Sequence, residues 1–352
     1  YIKYEFELNF NTSKKMETLK NNLYKHVEFL STLDPPRNCN NEISINKTID
    51  YISEQFRSNG YEVEYQEYEI PSTPYTHRNV IAHYGSKDNQ RLIVGAHYDV
   101  CMDTPGADDN ASAVAGMLET ARLLIEENPQ LNYCVEFVAY ANEEPPFFGS
   151  DNMGSYIHAS SLNEKNIDVL GMICYEMIGY FSDEPGSQEI PQEINMLKKY
   201  GTKLKMLSNL PDSLLNTALG KFNLEPTYVS YILENKAFLP DIINSLDVPD
   251  KGNFIIILGQ PEQKDFASKV FKNIKNGCDI DAHHITLPKG PGLAELSDHM
   301  NYWKYGYNAV MINDTSFLRN PNYHLISDTI DTLNFDKMTE VVKGVYNSVK
   351  SF

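Results

Sequence analysis

Five short apolar runs recur along this chain, at residues 92–96, 133–141, 169–175, 254–258 and 309–312, and most are closely followed by polar or charged residues. Runs of this length, rich in Val, Ile and Leu, read as strands buried on both faces, because one-sided strands alternate apolar with polar. Residues 111–127 carry Val114, Leu118, Ala121 and Leu124 at helical spacing and stop at Asn128-Pro129; residues 336–351 close the chain as an amphipathic helix. Strands that alternate with helices imply an α/β fold: a mostly parallel, mixed central sheet flanked by helices on both faces. Upstream, helical spacing over 16–33 and 43–59 (Ile45, Ile49, Ile52, Phe56, stopping at Gly60) and strand patterns over 61–70 and 78–83 extend the frame. Residues 1–15 read as a short, irregular N-terminal extension. About 191–248, scattered prolines and helical runs such as 214–219 replace the strand series. That stretch reads as a helical insertion in a single domain, capping the site.

The 352 residues, 41% of them hydrophobic, suffice for one large core. A formal net charge of −18 opposes a nucleic-acid or anionic-membrane partner, both of which select basic patches. No stretch approaches the roughly 18–20 apolar residues of a membrane span. The chain opens on Tyr1, which fits removal of a leader and a periplasmic or secreted location. Oligomeric state has no signature in the sequence. The five cysteines (Cys39, Cys101, Cys134, Cys174, Cys278) include no C-x-x-C pair, and Cys134 and Cys174 sit in apolar runs as buried thiols; a disulfide framework is not expected.

In open α/β sheets, ligands bind beyond the carboxyl ends of the strands. His97 and Asp99 follow the run at 92–96, Glu143 and Glu144 the run at 133–141, Glu176 ends the third, and His324 lies in the loop after the fifth. Four strand ends thereby deliver imidazoles and carboxylates to one rim. A metal-binding imidazole needs its second nitrogen held by an acceptor, and Asp99 is placed to hold His97. The adjacent Glu143 and Glu144 repel unless a cation lies near or one takes a proton, which suits one to ligate and the other to move protons. Glu176 follows Val169, Leu170, Met172 and Ile173, where an uncompensated charge is costly. The turn Pro105-Gly106-Ala107-Asp108-Asp109-Asn110-Ala111-Ser112 carries more acid than a helix cap needs. Its Asn110-Ala111-Ser112 matches a glycosylation sequon, set aside because the turn is expected to be buried.

His97-Tyr98-Asp99, Gly106-Ala107-Asp108-Asp109-Asn110, Asn142-Glu143-Glu144, Glu176-Met177-Ile178-Gly179, Ser297-Asp298-His299 and Tyr323-His324 with Asp328-Thr329 together resemble the zinc aminopeptidases of family M28, relatives of the glutaminyl cyclases. The resemblance covers roughly residues 20–190 and 250–350. It implies a zinc-exopeptidase (phosphorylase/hydrolase-like) fold and two zinc ions: Asp109 bridging, His97 and Glu176 on one ion, Glu144 and His324 on the other. Glu176 stands where many members have Asp. Three protein ligands and an open position suit a catalytic zinc. His299 is then a support element or part of the substrate pocket, with Tyr302 and Arg319 as further pocket candidates.

The expected activity is hydrolysis of N-terminal peptide bonds, with a zinc-bound hydroxide, Glu143 as general base and a substrate with a free N-terminus. Two alternatives are a glutaminyl cyclase, forming pyroglutamate on one zinc, and a catalytically inactive binding or receptor module of the same fold. The segment after His324, Leu325-Ile326-Ser327-Asp328-Thr329, looks like the peptidase version. The presence of a suitable side chain at each ligand position argues against the inactive module.

Overall fold

Leu92, Val94 and Ala96 pack into one apolar cluster and Ile93 into another. Likewise Val135, Phe137 and Ala139 separate from Val138 and Tyr140, and Ile173 and Tyr175 from Met172 and Cys174. Successive side chains of a strand point to opposite faces, so a continuous apolar run is buried only where helices cover both sides. The computed structural model describes residues 2–222, 224, 226–288 and 293–352, with side chains from Ser13 onward apart from Glu193 and Thr227.

The strands are β1 (Val63–Tyr68), β2 (His77–Tyr84), β3 (Arg91–His97), β4 (Cys134–Tyr140), β5 (Val169–Glu176), β6 (Phe254–Gly259), β7 (Asp281–Thr286) and β8 (Ala309–Asn313). They form one sheet in the order β1-β2-β4-β3-β5-β8-β6-β7. The central β4, β3, β5 and β8 run parallel, so their carboxyl ends share one rim: His97 pairs with Tyr140, and Glu176 with Asn313. β7 runs parallel to β6, whereas β1–β2, β2–β4 and β6–β8 are antiparallel, making the sheet mixed.

The helices are α1 (Ile2–Ser31), α2 (Glu42–Ser58), α3 (Ala113–Glu127), α4 (Gly154–Glu164), α5 (Gln192–Leu207), α6 (Asp212–Leu219), α7 (Pro226–Glu234), α8 (Leu239–Ser245), α9 (Lys264–Gly277), α10 (His299–Lys304) and α11 (Phe335–Val349). Helices α1, α2, α3, α9 and α11 close one face; α4 to α8 and α10 close the other. Helices α5 to α8 occupy most of the stretch between β5 and β6, supplying Leu197, Leu215, Ile232 and Ile242 to the second cluster.

Three local expectations are corrected. Residues 2–15 are not irregular but open α1, in keeping with a stretch from Ile2 to Ser31 that contains neither Gly nor Pro. The helix expected from residue 111 becomes regular only at Ala113, because Asp109 and Asn110 have non-helical backbone. Asp281-Ala282-His283-His284-Ile285-Thr286, unassigned by pattern, is the edge strand β7. Its paired histidines break the apolar alternation, and pairing with β6 supplies the order.

Candidate metal centre

Each functional side chain is aimed by backbone that other residues hold. His97 ends β3 and is 1% exposed. Its Nδ1 lies 3.3 Å from the Asp99 carbonyl and 3.4 Å from Asp99 Oδ1, an arrangement that directs Nε2 forward. That Nε2 faces Asp109 Oδ1 at 3.5 Å, Glu176 Oε2 at 3.4 Å and Glu143 Oε2 at 3.7 Å. The Asp99 carboxylate has a second duty that sequence reasoning did not anticipate. Its oxygens accept the backbone N–H of Glu143 and of Glu144, both at 3.1 Å, clamping the loop after β4 onto the loop after β3.

Asp328 repeats the device on the opposite side. It accepts the N–H of Asp108 at 2.9 Å and of Asp109 at 3.1 Å, so the turn before α3 is gripped by a residue 219 positions away. Gly106 starts that turn at φ +61. A Cβ there would lie 2.2 Å from Val100 Cγ1 and 2.3 Å from the Asp109 carbonyl oxygen, a space open only to glycine. The buried Arg37 guanidinium donates to the carbonyls of Leu30, Tyr98, Pro105 and Gly106. Asp108 does not face the cluster; it accepts from Gly179 N–H and the Asn320 amide. Asn110 is buried, its amide accepting from Met177 N–H and donating toward Glu176 Oε2.

The result is a compact donor set. Asp109 directs Oδ1 to His97 and Oδ2 to His324 Nε2, 3.1 Å away; the same His324 nitrogen is 3.4 Å from Glu144 Oε2. His97, Asp109 and Glu176 each offer a donor atom within 4.8 Å of the others, as do His97, Glu143 and Glu144. A third such set, Cys101 with Glu144 and His324, was not foreseen. The available signal was its position two residues past Asp99, on the loop that leaves His97. His324 stacks on Tyr323 at 3.8 Å and sits at φ +57, a conformation costing a non-glycine residue on the order of 1 kcal/mol or more.

Electrostatics favour a cation here. Burial pushes Glu143 well above the ordinary carboxyl range, with Glu144 and Glu176 adding to it. Burial and Asp109 raise Glu144 to about 8. Burial opposes charge on both imidazoles, yet Glu176 and Glu143 hold His97 well up, and Asp109 and Glu144 hold His324 up to about 10. The carboxylates thus demand positive charge, and without an ion they draw it from protons. Among the described residues, the buried Glu144 Oε1 has no hydrogen-bond partner. Imidazole nitrogens and carboxylate oxygens at these separations are donors that zinc takes, and a buried carboxylate oxygen without a protein partner fits a place beside a cation.

The three proposed pocket residues lie elsewhere. Tyr302 is fully buried, its hydroxyl bonded to Tyr140 at 2.6 Å and His158 at 2.7 Å. His299 is fully buried too, donating from Nε2 to the Ala294 carbonyl and edge-on to Trp303. Arg319 donates to the Phe254 carbonyl and lies between the rings of Phe181 and Phe254. A cavity of about 190 Å³ opens beside the cluster instead. Asp109, Glu143, Glu144, Glu176 and His324 form its polar end. Its apolar walls include Ile194, Ile256, Leu258, Ile285, Leu293 and Met311.

A parallel-centred sheet carrying two imidazoles and four carboxylates at its carboxyl rim is a candidate site for a divalent metal. The comparisons specify the family. The model of peptidase family M28 matches residues 79–213. The uncharacterized protein YfbL of Escherichia coli (strain K12) is 37% identical over 339 residues, covering 93% of this chain and 87% of YfbL. The chain belongs to family M28 and to its class of zinc peptidases. Among solved structures, the LapA aminopeptidase of Legionella pneumophila superposes with a TM-score of 0.62 at 16% identity, over 96% of this chain and 74% of LapA. The glutaminyl cyclase of Bacteroides thetaiotaomicron superposes at 0.61 and 16%, over 95% and 98%. At such identities these two share the fold with this chain.

Proposed function

We propose that this protein is an aminopeptidase that holds two zinc ions and releases large apolar residues from peptide N-termini. The observation that carries the reading is Asp109, one oxygen toward His97 and the other toward His324, at the mouth of an apolar cavity. Asp109 would help hold both ions, together with His97 and Glu176 on one side and Glu144 and His324 on the other. Zinc, when bound, supplies Lewis acidity toward the scissile carbonyl and lowers the pKa of water to roughly 7.

Glu143 faces the space in front of His97 and carries a carboxyl with raised proton affinity. It takes a proton from the attacking water and returns it to the departing amine. Asp99 positions both glutamates by holding their backbone N–H groups. The polar end of the cavity is where the substrate's free amine would sit. The apolar walls favour one bulky side chain, for which about 190 Å³ is ample, since a dry cavity of about 150 Å³ accepts benzene. Gln188, Glu189, Ile190, Pro191 and Val248 add to the wall, so the segment around 191–248 limits the cavity's reach.

Zinc per chain measured beside a panel of aminoacyl substrates tests this. Two zincs per chain are expected, with Leu or Phe preferred over Ala by roughly tenfold or more and no turnover of N-acetylated peptides. A Gln-initiated peptide that yields pyroglutamyl product makes the protein a cyclase. Absence of stoichiometric zinc makes it a binding module.

A further inference from the structure

We infer that Cys101 is a further metal ligand, its thiol joining Glu144 and His324 around the ion on the His324 side. The inference rests on the metal-centre reading above and adds a soft donor to it. Cys101 is 4% exposed, and its sulfur lies within 4.8 Å of a Glu144 carboxylate oxygen and a His324 ring nitrogen. Two hydrogen bonds from Thr104, N–H at 3.3 Å and hydroxyl at 2.8 Å, hold the Cys101 carbonyl and so fix the loop that carries the thiol. The Glu144 carboxylate in this group has the oxygen, Oε1, that is buried without a partner among the described residues.

A buried cysteine is usually a small apolar filler. Cys174 is one, lying in the apolar cluster beneath α10. Cys101 belongs to neither apolar cluster and has Glu144, Asp109, Asp99 and Glu143 as its charged neighbours. A neutral thiol gains little among carboxylates, whereas a thiolate on a shared cation neutralises charge and occupies a coordination position. As the ion arrives, the sulfur–metal bond forms and the S–H proton leaves to solvent.

The consequence is a pair of unequal metal positions. Cys101, Asp109, Glu144 and His324 make four protein donors, enough to close a tetrahedral zinc, while His97, Asp109 and Glu176 make three and leave a position open. The closed position, with its thiolate, favours zinc or cadmium over magnesium or manganese. The open position, on the Glu143 side, receives water and substrate.

Metal-free full-length protein titrated with cobalt reads the bond directly, because a thiolate–cobalt bond adds a near-ultraviolet charge-transfer band. Wild type is expected to develop the band. Cys101→Ser is expected to bind cobalt without it, and to hold cadmium on the His324 side at least about tenfold more weakly. Cys101→Ala, which adds no oxygen donor, should behave alike. Full cobalt binding with no band in wild type, or a band that survives in Cys101→Ser, overturns the thiolate ligand and leaves the metal centre standing. Failure of wild type to bind cobalt or zinc at all overturns both.

Discussion

Glu143 and Glu144 are neighbours in the chain, and the Asp99 carboxylate holds the backbone of both. Their carboxylates stay close, each with an oxygen within 4.8 Å of the other and of His97, but Glu144 alone also reaches His324, while Glu143 faces His97. The proposed division of labour predicts that Glu143→Gln retains zinc while kcat falls by roughly 10²–10⁴. Metal analysis beside steady-state kinetics checks both halves, and near wild-type turnover would remove Glu143 from the mechanism. His299 supports a second prediction, about stability. Burial lowers its pKa from 6.5 to about 4, so the folded chain keeps it neutral. Between pH 6.5 and about 4 the unfolded chain binds a proton there that the folded chain refuses; stability from this residue is full above 6.5 and is lost as pH falls through that window. The loss is about 3 kcal/mol by pH 4. Urea unfolding of wild type and His299→Gln, compared at pH 7.5 and 4.5, should show a shallower acid loss in the variant.

At the scale of elements, the site depends on two loops gripped from afar, by Asp99 after β3 and by Asp328 near the start of the last segment. The turn before α3 has little room for change. Gly106→Ala places a methyl 2.2 Å from Val100 Cγ1 in a left-handed backbone conformation, and is expected to destabilise by about 2–4 kcal/mol and to lower zinc content. Gly149 also has positive φ, at +75, but among the described residues no atom lies within 4 Å of the added methyl. Gly149→Ala should therefore cost only about 1 kcal/mol and keep its zinc. Thermal melts and metal analysis of the pair separate backbone conformation from crowding.

For the whole molecule, a donor set that exists only in the fold couples metal binding to stability. At zinc a thousandfold above Kd, binding adds about 4 kcal/mol. Removing zinc with a chelator is then expected to lower Tm by about 5 °C, with recovery on adding zinc back. An unchanged Tm would show that no ion is bound at the rim.

The α/β architecture and the strand-end placement of His97, Glu143, Glu144, Glu176 and His324 were legible in the chain itself. Apolar runs of strand length specify burial on both faces, and the direction of a parallel strand specifies which end carries the site. Tertiary structure decided the rest. The partners of Asp99 and Asp328 are backbone groups of remote loops, and no side-chain pattern announces them. His299, Tyr302 and Arg319 look like site residues by type, yet α4, α10 and the rings around Arg319 enclose them. Cys101 looks like an ordinary buried thiol until Glu144 and His324 arrive beside it. Side-chain chemistry is local to the sequence, whereas its surroundings are assembled from strands and loops that only folding brings within a few ångströms.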